Sequence, residues 1–369
     1  MKQTEGKIGI REFMAIIMLS VGTKLTDDTP TILFGTAKNS AWISMVLIAL
    51  LTIVPIFFLI KVFSVHKGKD LHEVNIHLFG KVLGNILSFG MLLFGFAALV
   101  LDSATYVDII STMYFTKTPN IAIYIVLLIV CGYGAKKGIE QIGSTAWLTL
   151  FYLKVTLFIA LAVAFTKGNL KFLFPLLGPG SWEIVKTAGS KMSILADFYF
   201  IGIIAPMVKS VKDLKKGTLF SFIIVGCEIT ISLIIYVALF DFTSIEVISY
   251  PFHEVILYIS FGFINNVESV FLPFWLVAAF IRFSFYMYLV LVLFGGIFKI
   301  NKHQYLIPVL VTLVIFLGIA PKSATYTLPY LRELLLTTLS PFFFALPIVM
   351  WLIAKVRGDF KHEASAEKT

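Results

Sequence analysis

Apolar residues run along the chain in blocks of roughly 20, the length a helix needs to cross ~30 Å of hydrocarbon, and short polar stretches separate the blocks. They predict ten membrane-spanning helices, at about 10–33, 40–63, 84–115, 119–135, 143–166, 190–208, 217–240, 266–298, 303–320 and 332–356. The segment 250–264, YPFHEVILYISFGFI, is apolar but short and has a Pro near its start, so a re-entrant or surface helix is expected there.

Two of the blocks are interrupted. The first breaks at Gly22 to Pro30, where SVGTKLTDDTP places a Lys and two adjacent Asp residues inside an apolar run. The sixth, KMSILADFYFIGIIAPMVKSV, holds Asp197, then Gly202 and Pro206. Ten spans divide into two groups of five, and an odd number turns the second group over relative to the first. An inverted repeat is therefore expected, about 10–166 and about 190–356, within a single transmembrane domain spanning 1–369, with residues 357–369 as a cytoplasmic tail. Spans one and six open the two repeats, so both breaks fall at corresponding positions. Unwound backbone at membrane depth survives only where protein or a cavity satisfies it, which implies a mid-membrane site.

Composition agrees with a membrane protein: 59% of the 369 residues are hydrophobic and 14% charged, with a mean hydropathy of +0.94. With the N-terminus inside, the ten-span reading puts 19 Lys and Arg residues inside and eight outside, Lys191 and Arg332 among the latter. Both termini are thus expected on the cytoplasmic side. The net charge of +9 reads as topology plus affinity for anionic membrane lipids, and no nucleic-acid partner is expected. Cys131 and Cys227 are expected to be free, buried thiols. The N-terminal segment lacks a small-residue cleavage site and runs into a span, so no removed signal peptide is expected.

Charged side chains inside hydrocarbon cost at least ~2.5 kcal/mol each and so mark partners or cavities. The candidates are Lys24, Asp27, Asp28, Asp102, Asp108, Lys154, Asp197, Glu228 and Arg282. Lys24 and Asp28, four apart, either pair with each other or present charge to a ligand carboxylate and ammonium beside the broken helix. Asp102 and Tyr106 share one helical face, with Thr105 beside it, and suit a small polar ligand; Asp108 is expected to snorkel at the span end. Lys154 lies near the middle of its span, either as an ion or proton coupling group or as a static partner of Asp197 or Glu228. Enzymatic motifs are absent from the sequence, so no catalytic residue, cofactor or metal is expected. The His residues, at 66, 72, 77, 253, 303 and 362, are read as connection or tail residues that make no metal set.

Several stretches carry a resemblance: IREFMAIIMLSVGTKL with Pro30 after it, Thr118-Pro119 before span four, APMVKSVKDLKKG after span six, and FINNVESVFLPFWLVAAF at span eight. Over residues 5 to about 357 the chain resembles the B subunit of spore nutrient-germinant receptors, the spore permease branch of the amino acid, polyamine and organocation transporter superfamily. It departs where that family tends to show an acidic residue, an Arg, a second acidic residue and a Trp, having Asn265, Asn266, Glu268 and Trp275. It departs also in TKLTDDTP, where many relatives have a Gly-x-Gly, and at Asp197 and Tyr199, where relatives often have Gly and Glu.

The resemblance implies a LeuT-like fold with helices 1 and 6 broken and a nutrient site between spans one, three, six and eight. It also implies residence in the spore inner membrane and partnership with an A subunit and a lipoprotein C subunit. Lys154 is similar in place to a span-five Lys of proton-coupled members. The expected site comprises Gly22, Thr23, Lys24, Asp102, Tyr106, Ala196, Asp197, Phe198, Tyr199 and Arg282 for the ligand, an amino acid, with Lys154 and Glu228 for ion or proton coupling. The alternative function is a proton-coupled amino-acid permease.

Overall fold

A computed structural model describes residues 6–259, 267–321 and 324–360, almost all of them helical. The helices are α1 (Ile10–Gly22), α2 (Thr29–Ala37), α3 (Ala41–Val65), α4 (Leu71–Phe79), α5 (Lys81–Ile109), α6 (Asn120–Lys137) and α7 (Ile139–Lys167). They continue as α8 (Ser181–Ser190), α9 (Asp197–Ile204), α10 (Val211–Ile245), α11 (Pro251–Tyr258), α12 (Val267–Phe298), α13 (Ile307–Ile319) and α14 (Ala324–Arg357). Among the described residues, seven helical stretches can by length and composition each cross a membrane, and an eighth is a pair, Ser181–Ser190 and Met192–Met207, bent by 46°. This is a multi-pass membrane protein. The other two expected blocks, 10–33 and 303–320, contain the 13-residue helices α1 and α13.

Local chemistry sets the ends. Asp70 and Glu73 form a reciprocal capping box on α4, and Ser210 accepts from the Asp213 amide at the start of α10. Pro30, Pro251 and Pro308 sit in the first turns of α2, α11 and α13, where a missing N–H costs nothing. Gly80 (φ +81°) and Gly138 (φ +86°) join successive helices through backbone that favours glycine. The segment expected to be re-entrant or on the surface is the eight-residue α11, with residues 260–266 outside the described set.

α1 packs on α10, α7 and α12, and α14 packs on α3 and α5. α12 lies deepest: Trp275, Arg282 and Phe283 are fully enclosed, whereas Phe151 and Phe158 on α7 face outward. Cys131 is buried, but Cys227 is exposed on α10, contrary to expectation, because it lies on the outer, apolar side of that helix, where an apolar thiol is at home in lipid. At one end of the bundle the N-terminal segment bonds to the stretch after α9, Ile8 N–H to Met207 O at 2.9 Å and Lys209 N–H to Ile8 O at 3.1 Å.

Span ten was expected from residue 332, but its helix begins at Ala324. Hydropathy finds the apolar middle of such a helix, not its polar first turns. Gly202, expected to help break span six, lies inside α9, where an added Cβ would fall 2.5 Å from the Phe63 ring. It is a packing glycine.

Gly84 shows the same constraint against backbone: a Cβ there would come within 2.7 Å of Asn75 O and of the Ile76 backbone in α4, whereas Gly90 on the same helix faces open space. Gly84→Ala is expected to destabilise the detergent-solubilised protein by about 1–3 kcal/mol. Gly90→Ala is expected to be neutral or stabilising by up to ~1 kcal/mol. Thermal unfolding of the two variants side by side checks this.

Candidate functional site

The first break is built from short polar residues and repaired by other helices. α1 ends at Gly22, Thr23–Leu25 form one tight turn, and α2 resumes at Thr29. Thr23 O accepts from Thr26 Oγ1 at 2.6 Å and from the Tyr106 hydroxyl at 3.4 Å; Leu25 O accepts from the Tyr236 hydroxyl at 2.9 Å. Trp275 Nε1 donates to Thr26 Oγ1 at 2.9 Å while its ring stacks on Tyr106, centroids 4.8 Å apart. The carbonyls freed by the break are therefore satisfied from α5 and α10.

The second break lies just before Asp197, at the edge of the ADFY stretch (196–199) that the sequence offers as its match to the first. Met192–Leu195 is a tight turn, and α9 starts at Asp197. Here α14 makes the repair: Ser340 Oγ accepts from Ser193 N–H at 3.0 Å and donates to Ser190 O at 2.8 Å, and Ser193 Oγ donates to Leu336 O at 2.5 Å. Lys191 is buried and pairs with Glu333 at 2.7 Å.

Between the breaks lies a bed of buried charge. Arg282, wholly enclosed, pairs with Asp27 at 3.2 Å and with Asp102, and also donates to Thr23 Oγ1 at 3.1 Å and Tyr106 Oη at 3.3 Å. Arg332 pairs with Asp27 at 2.7 Å, with Asp102 at 3.2 Å and with Asp28. Lys24 crosses from the first break to the second, donating to Ile194 O at 2.6 Å and pairing with Asp197, which also accepts from Tyr286. Lys154 pairs with Glu228 at 2.6 Å, and a Cβ on Gly22 would lie 3.3 Å from both. The cavity at the first break, lined by Gly22, Thr23, Lys154 and Trp275 among others, measures about 40 Å³, a water's worth of space.

Of the expected ligand residues, Gly22, Thr23, Lys24, Asp102, Tyr106, Asp197 and Arg282 come together. Ala196 and Tyr199 instead line a separate apolar cavity with Phe343 and Pro347, where the Tyr199 hydroxyl meets Met350 Sδ at 3.5 Å; Phe198 packs on Phe222. Lys154 and Glu228 form their own pair to one side.

One open alternative closes and three charge assignments change. Lys24 and Asp28 do not pair with each other, because the turn between them points them to Asp197 and Arg332. Arg332 and Lys191, counted as outer-connection cations, are buried ion-pair partners. Asp108 does not snorkel: it is buried and accepts from Tyr250. His66 and His77, read as making no metal set, converge with Asp359. Sequence reasoning missed Arg332 and Tyr286; the signal for Arg332 was a cation eight residues into an extended α14, hidden by starting the span at 332.

Arg332→Leu leaves buried carboxylates short of a partner and is expected to cost about 3–5 kcal/mol of stability. Asp28→Leu in the same protein should recover part of that loss, a coupling of about 0.5–3 kcal/mol. Denaturation of the four proteins of this cycle in detergent measures it, and strictly additive effects would exclude the pair.

Among solved structures the chain is similar to Mhp1, a nucleobase-cation-symport-1 family transporter in a closed conformation with bromovinylhydantoin bound. The two are 15% identical with a TM-score of 0.58, over 92% of this chain and 78% of that one. The likeness shows the expected LeuT-like fold. No curated protein sequence matches the chain significantly. The sequence model of the spore germination protein family, the spore permeases, matches residues 10–327. With most of its length matched, this chain belongs to the spore germination protein family.

Proposed function

We propose that the chain is the membrane-embedded, nutrient-sensing subunit of a germinant receptor and not an enzyme. It binds an amino acid between the two helix breaks and, with an A subunit and a lipoprotein C subunit in the spore inner membrane, triggers germination. On this reading the termini are cytoplasmic and the two five-helix groups, 10–166 and 190–356, form the inverted repeat.

One observation carries the reading: Lys24 ties the two breaks together through Asp197 and Ile194 O, beside a charge bed with a carboxylate in excess. Among the described residues, Asp27, Asp28, Asp102 and Asp197 face Lys24, Arg282 and Arg332, four carboxylates to three cations. An amino acid offers an ammonium for Asp197 and a carboxylate for Lys24, so it can replace the internal pair with two. Among the described residues Arg282 Nε is buried without a hydrogen-bond partner, a further donor for a ligand oxygen. A ligand can drive the change only by its differential affinity for the open and closed states, so signalling needs no net transport. The family and the transporter neighbour support a permease-like, nutrient-binding protein; the solved neighbour's own ligand is a substituted hydantoin.

A second reading, a proton-coupled amino-acid permease, is favoured by the Lys154–Glu228 pair against Gly22, which could exchange a proton as the first break moves. Uptake of labelled amino acid by proteoliposomes holding this chain alone separates the two. The receptor reading expects none under an imposed proton gradient, and robust gradient-driven uptake would replace it.

Binding of a panel of amino acids and sugars to the assembled receptor tests the site. Lys24→Met should weaken amino-acid binding by roughly 10- to 100-fold, the worth of a charge-assisted hydrogen bond of about 1.5–3 kcal/mol. The nutrient dose response for germination should move by the same factor. Unchanged binding in Lys24→Met would remove the assignment, and binding of sugars alone would change the ligand class.

A further inference from the structure

At one end of the bundle, away from the helix breaks, three side chains from distant parts of the sequence meet. His66 closes α3, His77 lies in the last turn of α4, and Asp359 follows α14 across Gly358, whose φ of +83° turns the chain in a way that favours glycine. His66 Nε2 lies 3.1 Å and His77 Nε2 3.4 Å from the same Asp359 Oδ2, and one potential ligand atom from each residue falls within 4.8 Å of the others. Arg357 donates to His77 O, which ties the end of α14 to α4 just before Asp359.

The hydrogen bonding of His66 constrains what can sit among them. Its Nδ1 is 2.8 Å from Val62 O, and since a carbonyl only accepts, Nδ1 carries the proton. The neutral ring then turns an unprotonated Nε2 toward a carboxylate, two acceptors facing each other at hydrogen-bond distance. A cation resolves this contact, either a second proton on His66 or a metal ion. The second imidazole nitrogen approaching the same oxygen favours the metal. Ligands at ~2.0 Å from a tetrahedral ion are about 3.3 Å apart, close to both observed separations. An Nδ1–H bonded to a backbone carbonyl is also the outer contact that orients metal-bound His.

We propose that His66, His77 and Asp359 bind a divalent transition-metal ion of the Zn²⁺ class, which clips the connection between α3 and α5 to the end of α14. Two imidazoles and one carboxylate suit Zn²⁺, Ni²⁺ or Cu²⁺ and not Mg²⁺ or Ca²⁺, which prefer oxygen. The site keeps an open coordination position for water on the side of His77, whose side chain is 37% exposed; His66, at 4%, forms its floor. Lys69, next to this cluster in the same connection, opposes a cation, and the Asp359 carboxylate compensates.

The test uses the full-length chain in detergent, stripped with a chelator and titrated with Zn²⁺ against a metallochromic competitor. Because His66 also holds the Val62 carbonyl, the variants are His77→Ala and Asp359→Asn, with thermal unfolding of the metal-free proteins as the folding control. Wild type should hold one Zn²⁺ that excess Mg²⁺ does not displace, each variant should bind on the order of 100-fold more weakly, and Co²⁺ loading should give a visible d–d spectrum that His77→Ala abolishes. Equal Zn²⁺ affinity in wild type and both variants, or no Zn²⁺ on the wild type, overturns the site and leaves the cluster as a protonated His66–Asp359 pair.

Discussion

The burial of carboxylates at the break in the first span is the constraint from which the rest of the architecture follows. Asp27 and Asp28 lie where the helix is unwound, fully enclosed, and a carboxylate in that setting must find cations or be expelled. The cations come from α12, as Arg282, and from α14, as Arg332, while α5 adds Asp102 to both. Three helices are thereby held in rotation and depth against one short turn. Buried ion pairs give little net stability over an apolar replacement, yet removing one partner is costly, so what they fix here is register. Between apolar helices in lipid there is no hydrophobic drive to supply that register.

A second consequence is that the two breaks cannot move independently. Lys24 reaches Ile194 O and Asp197, so a shift of the first break must release or drag the second. The repairs of the broken backbone are also shared out. Tyr106 and Tyr236 serve the carbonyls of the first break, where Trp275 also holds the Thr26 hydroxyl, and Ser340 serves the second. Each is a hydrogen bond from a helix outside the break, so unwinding one turn changes the contacts of several elements at once. The Ile8 bridge to Met207 and Lys209 fastens the chain entering α1 to the chain leaving α9, so one end of the bundle is coupled as well.

Much of this was legible in the sequence because membrane burial leaves few places for charge. The interruption SVGTKLTDDTP, the four-residue spacing of Asp102 and Tyr106, and Lys154 amid apolar residues were each visible as local anomalies. What was not legible depended on long-range pairing. Arg332 lies 305 residues from Asp27, and its helix starts in a polar turn that hydropathy assigns to a loop. The extent of the second break was not legible because Met-Ser-Ile-Leu carries no glycine or proline; it is held open by Ser340 from another helix, whereas Gly202, a local signal, answers to the Phe63 ring. The His66–His77–Asp359 group was invisible for the same reason, since its third member is separated from the first by most of the chain.

The self-satisfied site bears directly on how the proposed receptor would switch. A ligand entering between the breaks competes with the Lys24–Asp197 pair already made, so its apparent affinity is lowered by the fraction of time that pair is open. That reduction is a cost for a transporter, which profits from a site ready to fill. For a receptor it sets a threshold: the closed state persists until enough ligand accumulates to outbid the internal pair, and the same exchange frees the link between the two breaks. Sensing and movement would then be one event, the transfer of Asp197 from a lysine of the chain to an ammonium that arrives from outside.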